Sequence, residues 1–357
     1  MRTFSAILTA FLLVTPPAGA QFRSPRELVV QKVTRMTWSS GHRQAAAVTS
    51  QRRRAVLQPS SSACALKVLR QPVFPNWIDA DSDFVYVSDG LLDLFRVSKD
   101  GGTSTTIASV GVQIGPFAMD DIAIYFITVD DDTTGSLYKV PKSGGTPTRL
   151  ATNLPAPLEV RVDATSVYWA SLGTIVAQTL NADGFIERMA KDGTGRTVLA
   201  DKLNAPFTLV LDASDVYFDE TGLAEGNVNA GLRRVSKSGG PMTTLVDGLP
   251  VVAIATSGSD IFYSAIDVTP ALFRLSKAGG PPALLIDQFL ALTIILEDSL
   301  VYAMGLNINA EALILAVPAT GGAIRTVRTT SGDSFSFALD DCAVYYSSES
   351  RLERLPR

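Results

Sequence analysis

The sequence predicts an all-β chain folded as a seven-bladed β-propeller of four-stranded antiparallel blades, and three observations carry that prediction. A β-branched residue followed by an aromatic recurs seven times, at Val85-Tyr86, Ile124-Tyr125, Val167-Tyr168, Val216-Tyr217, Ile261-Phe262, Val301-Tyr302 and Val344-Tyr345. The aromatics lie 39, 43, 49, 45, 40 and 43 residues apart, a blade-length period. Within each period follows an alternating basic segment that runs into glycine, as in Phe95-Arg96-Val97-Ser98-Lys99-Asp100-Gly101-Gly102, with a degenerate copy at residues 314–322. Finally, 27 glycines and 19 prolines are spread at intervals, which fits many turns between short strands.

Each copy reads as four strands. Strand A ends at an acid, strand B carries the Val-Tyr pair, strand C carries the basic alternation and strand D follows the glycine turn, as at Thr105 to Ala108. The glycines supply the positive φ that a tight C–D hairpin needs. An acid stands five residues before the strand B aromatic at Asp81, Asp120, Asp163, Asp212, Glu297 and Asp340, with Ser257 in the fifth copy. Catalysis needs one site, whereas a turn recurs in every blade, so this row reads as A–B turn chemistry. The seventh copy lacks a strand D before Arg357, and residues 65–70, which resemble a strand D running into proline, are expected to supply it and close the ring.

Outside the repeats, residues 1–20 have a charged start, an apolar centre from Phe4 to Val14 and a small-residue end at Ala18-Gly19-Ala20. This is the pattern of a secretory signal peptide cut after Ala20, and it implies an extracytoplasmic location, secreted or periplasmic. Residues 21–63 carry eight basic side chains against one acid, net +7, while 64–357 carry 22 against 34, net −12. The first segment reads as a basic linker, with contact to an anionic envelope surface as the sharper alternative. An acidic propeller argues against nucleic acid, and no apolar run after the signal is long enough for a transmembrane span.

A single histidine and two cysteines make histidine-dependent catalysis and multi-ligand zinc sites poor expectations. In an exported chain the two cysteines, Cys64 and Cys342, are expected to form a disulfide; two small buried thiols are the alternative.

In the third copy, Ser166-Val167-Tyr168-Trp169-Ala170 together with Ile186 to Ala200 resembles the YWTD repeats of low-density-lipoprotein-receptor propellers, and the repeat pattern over 65–357 is also similar to TolB-like and NHL-like bacterial propellers. Asp89 and Asp219 stand near the position of the aspartate that closes the YWTD motif. The resemblance implies a binding platform and assigns no ligand.

Propeller ligands are expected where the B–C and D–A loops converge around the channel. Two B–C loops are long, Ala170 to Phe185 and Asp219 to Gly231, which makes Asp219 and Glu220 candidate ligand contacts. Strand A is otherwise apolar, yet Trp77, Asp79, Glu159 and Arg161 stand on it; an aromatic beside channel charges would orient a polar ligand, while a Glu159–Arg161 pair can also be structural. The run Asp130-Asp131-Asp132 offers hard oxygen ligands for calcium without EF-hand spacing. No other cofactor is indicated. The expected function is a binding or scaffold module for a protein or glycan, with a propeller hydrolase or lyase using channel carboxylates and calcium as the rival.

Overall fold

A computed structural model describes residues 65–70, 76–89, 91–131, 133–176, 179–222, 229–331, 336–348 and 350–357. The expected signal peptide, the basic segment 21–63, Cys64 and Asp132 lie outside the described residues.

Seven four-stranded antiparallel sheets form a seven-bladed propeller. Blade 1 comprises strand A at Trp77–Ala80, B at Phe84–Ser88, C at Asp93–Ser98 and D at Thr105–Ser109. Blades 2 to 6 span residues 113–155, 157–203, 209–247, 251–287 and 289–329. Blade 7 takes A, B and C from Phe337–Leu339, Ala343–Ser348 and Arg351–Pro356, and its fourth strand is Lys67–Arg70. That strand pairs with strand C as Lys67 with Arg354 and Val68 with Glu353, and a bulge follows before Arg70 meets Leu352. Head and tail of the described chain therefore share one sheet, as the sequence predicts. Leu69 anchors the closing strand in the core between blades 7 and 1.

Most of the core is divided among the seven junctions, and an eighth cluster, Ala156, Leu172, Ala205 and Val252, gathers residues from blades 3 to 5 and the segments between them. One cluster of buried side chains sits at each junction, and the strand B aromatic always belongs to the cluster facing the next blade: Tyr86 with Ile114 and Ile124, Tyr125 with Val160 and Val167, Tyr168 with Leu209 and Val216. The C–D turns close by a bond from the glycine N–H to the residue three before it, Gly101 to Ser98 at 2.7 Å, with Gly101 at φ 74°, a conformation glycine takes without a Cβ clash.

The acid row forms the A–B turns. Asp81 Oδ1 accepts the backbone N–H groups of Asp83 and Phe84, both at 3.0 Å, and Asp120, Asp163, Asp212 and Asp340 repeat this. The other oxygen does something that spacing within one repeat does not reveal. Asp81 Oδ2 accepts the Tyr86 hydroxyl at 2.7 Å and the ammonium of Lys142, from blade 2, at 2.5 Å. The same three-part latch joins Asp120, Tyr125 and Lys191, then Asp163, Tyr168 and Lys237, then Asp212, Tyr217 and Lys277, and finally Asp340, Tyr345 and Lys99 across the closing seam. Each lysine also lies over the tyrosine ring, 5.0 Å from its centroid for Lys142 on Tyr86, a cation–π distance.

The two exceptions are concerted. Between blades 6 and 7 the acid is Glu297 and the cation Arg357, 3.3 Å apart, with Arg357 Nε donating to the Tyr302 hydroxyl. Glu297 ends strand A, and Asp298 turns the chain at φ 54° and adds a second ion pair to Arg357 at 2.8 Å. Between blades 5 and 6 all three members change together, to Ser257, Phe262 and Ala319. Packing takes over there: Phe262 joins Leu272, Ile286, Phe289, Ile294, Val301 and Val317 in one apolar cluster.

Burial alone would raise the latch carboxyls, but the lysine, the tyrosine hydroxyl and the two turn amides outweigh it and hold Asp81, Asp163 and Asp212 well below the usual carboxylate range, with Asp120 and Asp340 also lowered. A depressed folded value means stability that is present above the unfolded aspartate pKa and lost as pH falls through the folded one. Unfolding midpoints should therefore drop once pH goes below about 4.

Tyr86→Phe and Lys142→Met should each cost about 1 kcal/mol, lowering Tm by about 2–4 °C in a domain of this size, as read by circular dichroism melting. Ala319→Lys, which adds a cation where no acid waits, should leave Tm unchanged; equal losses at all three positions would remove the latch as the reason for the pattern.

Candidate functional site

Strand A of each blade lines the axis, and its composition is uneven. Blades 5 and 7 present Val251–Thr256 and Phe337–Leu339, blade 4 Leu209–Leu211, while charge enters only through Asp79 in blade 1 and Glu159 and Arg161 in blade 3, apart from the latch residue Glu297. Asp79 and Glu159 are half-buried. Arg161 Nη1 lies 2.5 Å from Glu159 Oε1. The same guanidinium acts on Asp79, although removal from water dominates there and raises the Asp79 carboxyl above its ordinary value against the Ala80 amide, Arg161 and Lys142. Arg161 thus lies within electrostatic reach of a carboxyl from another blade. Trp77, two residues before Asp79 on the same strand, packs its half-buried ring against the cluster between blades 1 and 2.

The other candidates sit at the ends of the sheets. Strand B of blade 4 runs Asp215–Glu220 and strand C begins at Gly231, so Asp219, Glu220 and Gly231 belong to strands rather than to the loop the sequence reading drew there. Likewise blade 3 strand B extends to Ser171 and strand C starts at Gly184, and a small hairpin, Ile175–Val176 with Thr179–Leu180, fills the space between. Asp219 Oδ1 accepts the N–H groups of Phe207 and Thr208 at 2.8 and 2.7 Å. Glu220 Oε1 accepts the N–H of Asn204 at 2.8 Å, and Oε2 meets Arg233 Nε at 2.9 Å. Arg233 and Glu220 are both buried, a costly arrangement unless every donor is answered. Arg233 answers it by donating also to the carbonyls of Val246 and Asn229. Asp219 and Glu220 therefore hold the linker from blade 3 into blade 4.

Asp219 Oδ2 is buried with no hydrogen-bond partner. Removal from water pushes this carboxyl up to about 8, over the lowering pull of the Thr208 and Phe207 amides, with Glu220 adding to the rise.

In blade 2, Asp130 accepts the hydroxyls of Thr128 and Ser136, and Asp131 accepts the amides and hydroxyls of Thr133 and Thr134. The pair closes the B–C hairpin, and Asp132 lies outside the described residues. Among the described residues no group of three or more His, Cys, Asp or Glu side chains is placed to hold a metal ion. Cys342 sits half-buried in the A–B turn of blade 7, where its N–H donates to Asp340; its expected partner Cys64 is outside the described residues. A cleft of 640 Å³ opens beside it, lined by Asp83, Lys99, Asp100, Asp340, Tyr345 and Arg354 among others, but its lysine, aspartate and tyrosine form the closing latch. Among the described residues no helix is long and apolar enough to cross a membrane.

Sequence reasoning missed the buried Arg233. Its equivalents vary, Phe95, Tyr138, Glu187, Phe273, Leu315 and Glu353, so the only signal was that a cation follows a strand B ending in two acids.

No protein-family model matches the chain, and no curated protein matches it significantly. Among solved structures, the fold is similar to one of a nidogen/laminin complex, at 18% identity and a TM-score of 0.51, covering 69% of this chain and 92% of that one. It is also similar to an oligogalacturonate lyase in complex with manganese, at 15% identity and a TM-score of 0.59 over 84% and 95% of the two chains. A third is YCF48 from Cyanidioschyzon merolae, at 11% identity and a TM-score of 0.58 over 82% and 99%. At these identities the likeness is one of fold, a β-propeller.

Replacing Asp219 by Asn should keep the acceptor for the Phe207 and Thr208 amides while abolishing the titration. A folded carboxyl that holds its proton more tightly than the unfolded one loses stability as pH rises from about 4 to about 8. The variant should therefore be the more stable protein at pH 8, by denaturant titration, with little difference at pH 4; the opposite order would place a charged, partnered carboxylate there.

Proposed function

We propose that this chain is an exported β-propeller acting as a binding or scaffold module for a protein or glycan, engaged at the central channel. The observation that supports this most is the division of labour among its carboxylates. The recurring ones are consumed by latches, and those at the axis that do not recur, Asp79 and Glu159, share Arg161 in an otherwise largely apolar lining. Such a sparse polar set on an apolar wall orients a ligand. Binding by a propeller has a parallel in the nidogen structure, which contains laminin. Export rests on the pattern of residues 1–20, and a secreted product beginning at Gln21 would match it.

The rival is a hydrolase or lyase working through channel carboxylates such as Asp79 and Glu159 with a calcium ion held in the channel. Its supports are the fold shared with a lyase and the raised Asp79 carboxyl, since general acids are held protonated by desolvation.

The full chain, assayed against an immobilised panel of glycans and protein fragments, should bind a ligand that Asp79→Asn with Arg161→Ala weakens about ten-fold, which is about 1.4 kcal/mol, while circular dichroism shows the variant still folded at the assay temperature. Release of shortened glycan, abolished by a chelator, would decide for the rival.

A further inference from the structure

Three features that the repeat does not explain meet at the end of the channel opposite the latches. The first is Asp219. Two residues past the strand B aromatic the other blades carry a serine, Ser88, Ser264 or Ser347, or an apolar residue, Ile127, Ala170 or Met304. Ser88 and Ser264 tie down the start of the next strand A: Ser88 Oγ donates to the Ile114 carbonyl at 2.9 Å, and Ser264 Oγ accepts the Ala291 N–H at 3.0 Å. Ile114 and Ala291 stand at matching positions, and the equivalent facing Asp219 is Val251. A serine would serve that purpose in blade 4 as well. Asp219 instead turns one oxygen back to its own strand A and leaves Oδ2 fully buried and unpartnered.

The second feature is the eighth cluster, against which Phe207 packs. It adjoins the carboxyl on two sides, because the Phe207 N–H donates to Asp219 Oδ1 and Val252 follows Val251. The third is the hairpin of Ile175–Val176 with Thr179–Leu180. Its Ile175 and Leu180 pack on the same cluster. Among the described residues the hydrogen bonds of 174–183 close within the hairpin, Asp183 accepting the Thr174 N–H and hydroxyl at 2.7 Å each and the Thr174 carbonyl accepting the Asn181 N–H at 2.9 Å. Lifting the hairpin as a unit therefore breaks no hydrogen bond to the blades, and it withdraws two apolar side chains from the cluster beside a carboxyl.

That carboxyl has no counter-charge. Its neighbour Glu220 takes Arg233, whose other donors go to the Val246 and Asn229 carbonyls and to Asp247, and no residue of the cluster is basic. A buried carboxyl without a cation is costly, and such breaches of the rules of folding concentrate where function uses them. We propose that this end of the channel binds a small aliphatic primary ammonium, its chain replacing Ile175 and Leu180 on the cluster and its head donating to Asp219 Oδ2. The site shares no residue with the set Asp79, Glu159 and Arg161, and it stands whatever that set binds.

Calorimetric titration of the full chain with n-hexylamine at pH 8, where the amine is cationic, should show saturable binding, with n-hexanol at least ten-fold weaker. D219N should weaken hexylamine about ten-fold and leave hexanol unchanged, and D83N on the opposite face should change neither. I175S/L180S should tighten hexylamine several-fold, because the hairpin then competes less for the cluster. If circular dichroism shows D219N unfolded, D219S, which installs the serine of blades 1, 5 and 7, takes its place with the same expectation. Absence of saturable binding, equal affinity for amine and alcohol, or full hexylamine binding by the Asp219 variant would overturn the site and leave a buried carboxyl that meets only water. Unchanged or weaker binding by I175S/L180S would overturn the displacement of the hairpin.

Discussion

The ring depends on one carboxylate doing two jobs. In five blades a single aspartate closes its own A–B turn with Oδ1 and reaches across the junction with Oδ2, where a tyrosine from its own blade and a lysine from the next converge. The first job is local and fixes where strand B starts. The second sets the angle between blades, because the lysine sits at the C–D turn of the neighbour and can meet the carboxylate only if the two sheets splay correctly. Apolar packing fills the junction but is non-directional; the latch supplies direction.

This explains why the exceptions are collective. An acid left without its lysine would be a partly buried, unanswered charge, and a tyrosine left without its acid a buried hydroxyl seeking a partner. At the junction of blades 5 and 6 all three are gone and Phe262 packs instead. At the next junction both charged partners lengthen the reach in different ways, Glu297 for aspartate and Arg357 for lysine, and the pair survives.

The repeat itself was legible in the sequence, because strand alternation and glycine turns are local chemistry, and so was ring closure, because residues 65–70 look like a strand D without a blade. The turn role of Asp81 and its equivalents was legible from the spacing to Tyr86. The latch was harder, since its lysine lies a whole blade away, beyond any periodicity within one repeat. Its trace was nonetheless present: Ser257, Phe262 and Ala319 depart from the repeat together. For the site, the sequence located the axial residues Asp79, Glu159 and Arg161, and the structure adds that Arg161 acts on both acids. Strand ends were misjudged at Asp219 and Glu220, where pairing continues past the Val-Tyr motif because a buried arginine on strand C answers the second acid.

The most direct measurement of the latch is hydrogen exchange, followed by mass spectrometry and corrected for intrinsic rates, at neutral pH and at pH 3. If carboxylates hold the blades, protection should fall at peptides covering Asp81, Asp120, Asp163, Asp212 and Asp340 and persist around Phe262 and Ala319. Uniform loss around the ring, or no loss at the five aspartates, would contradict the account.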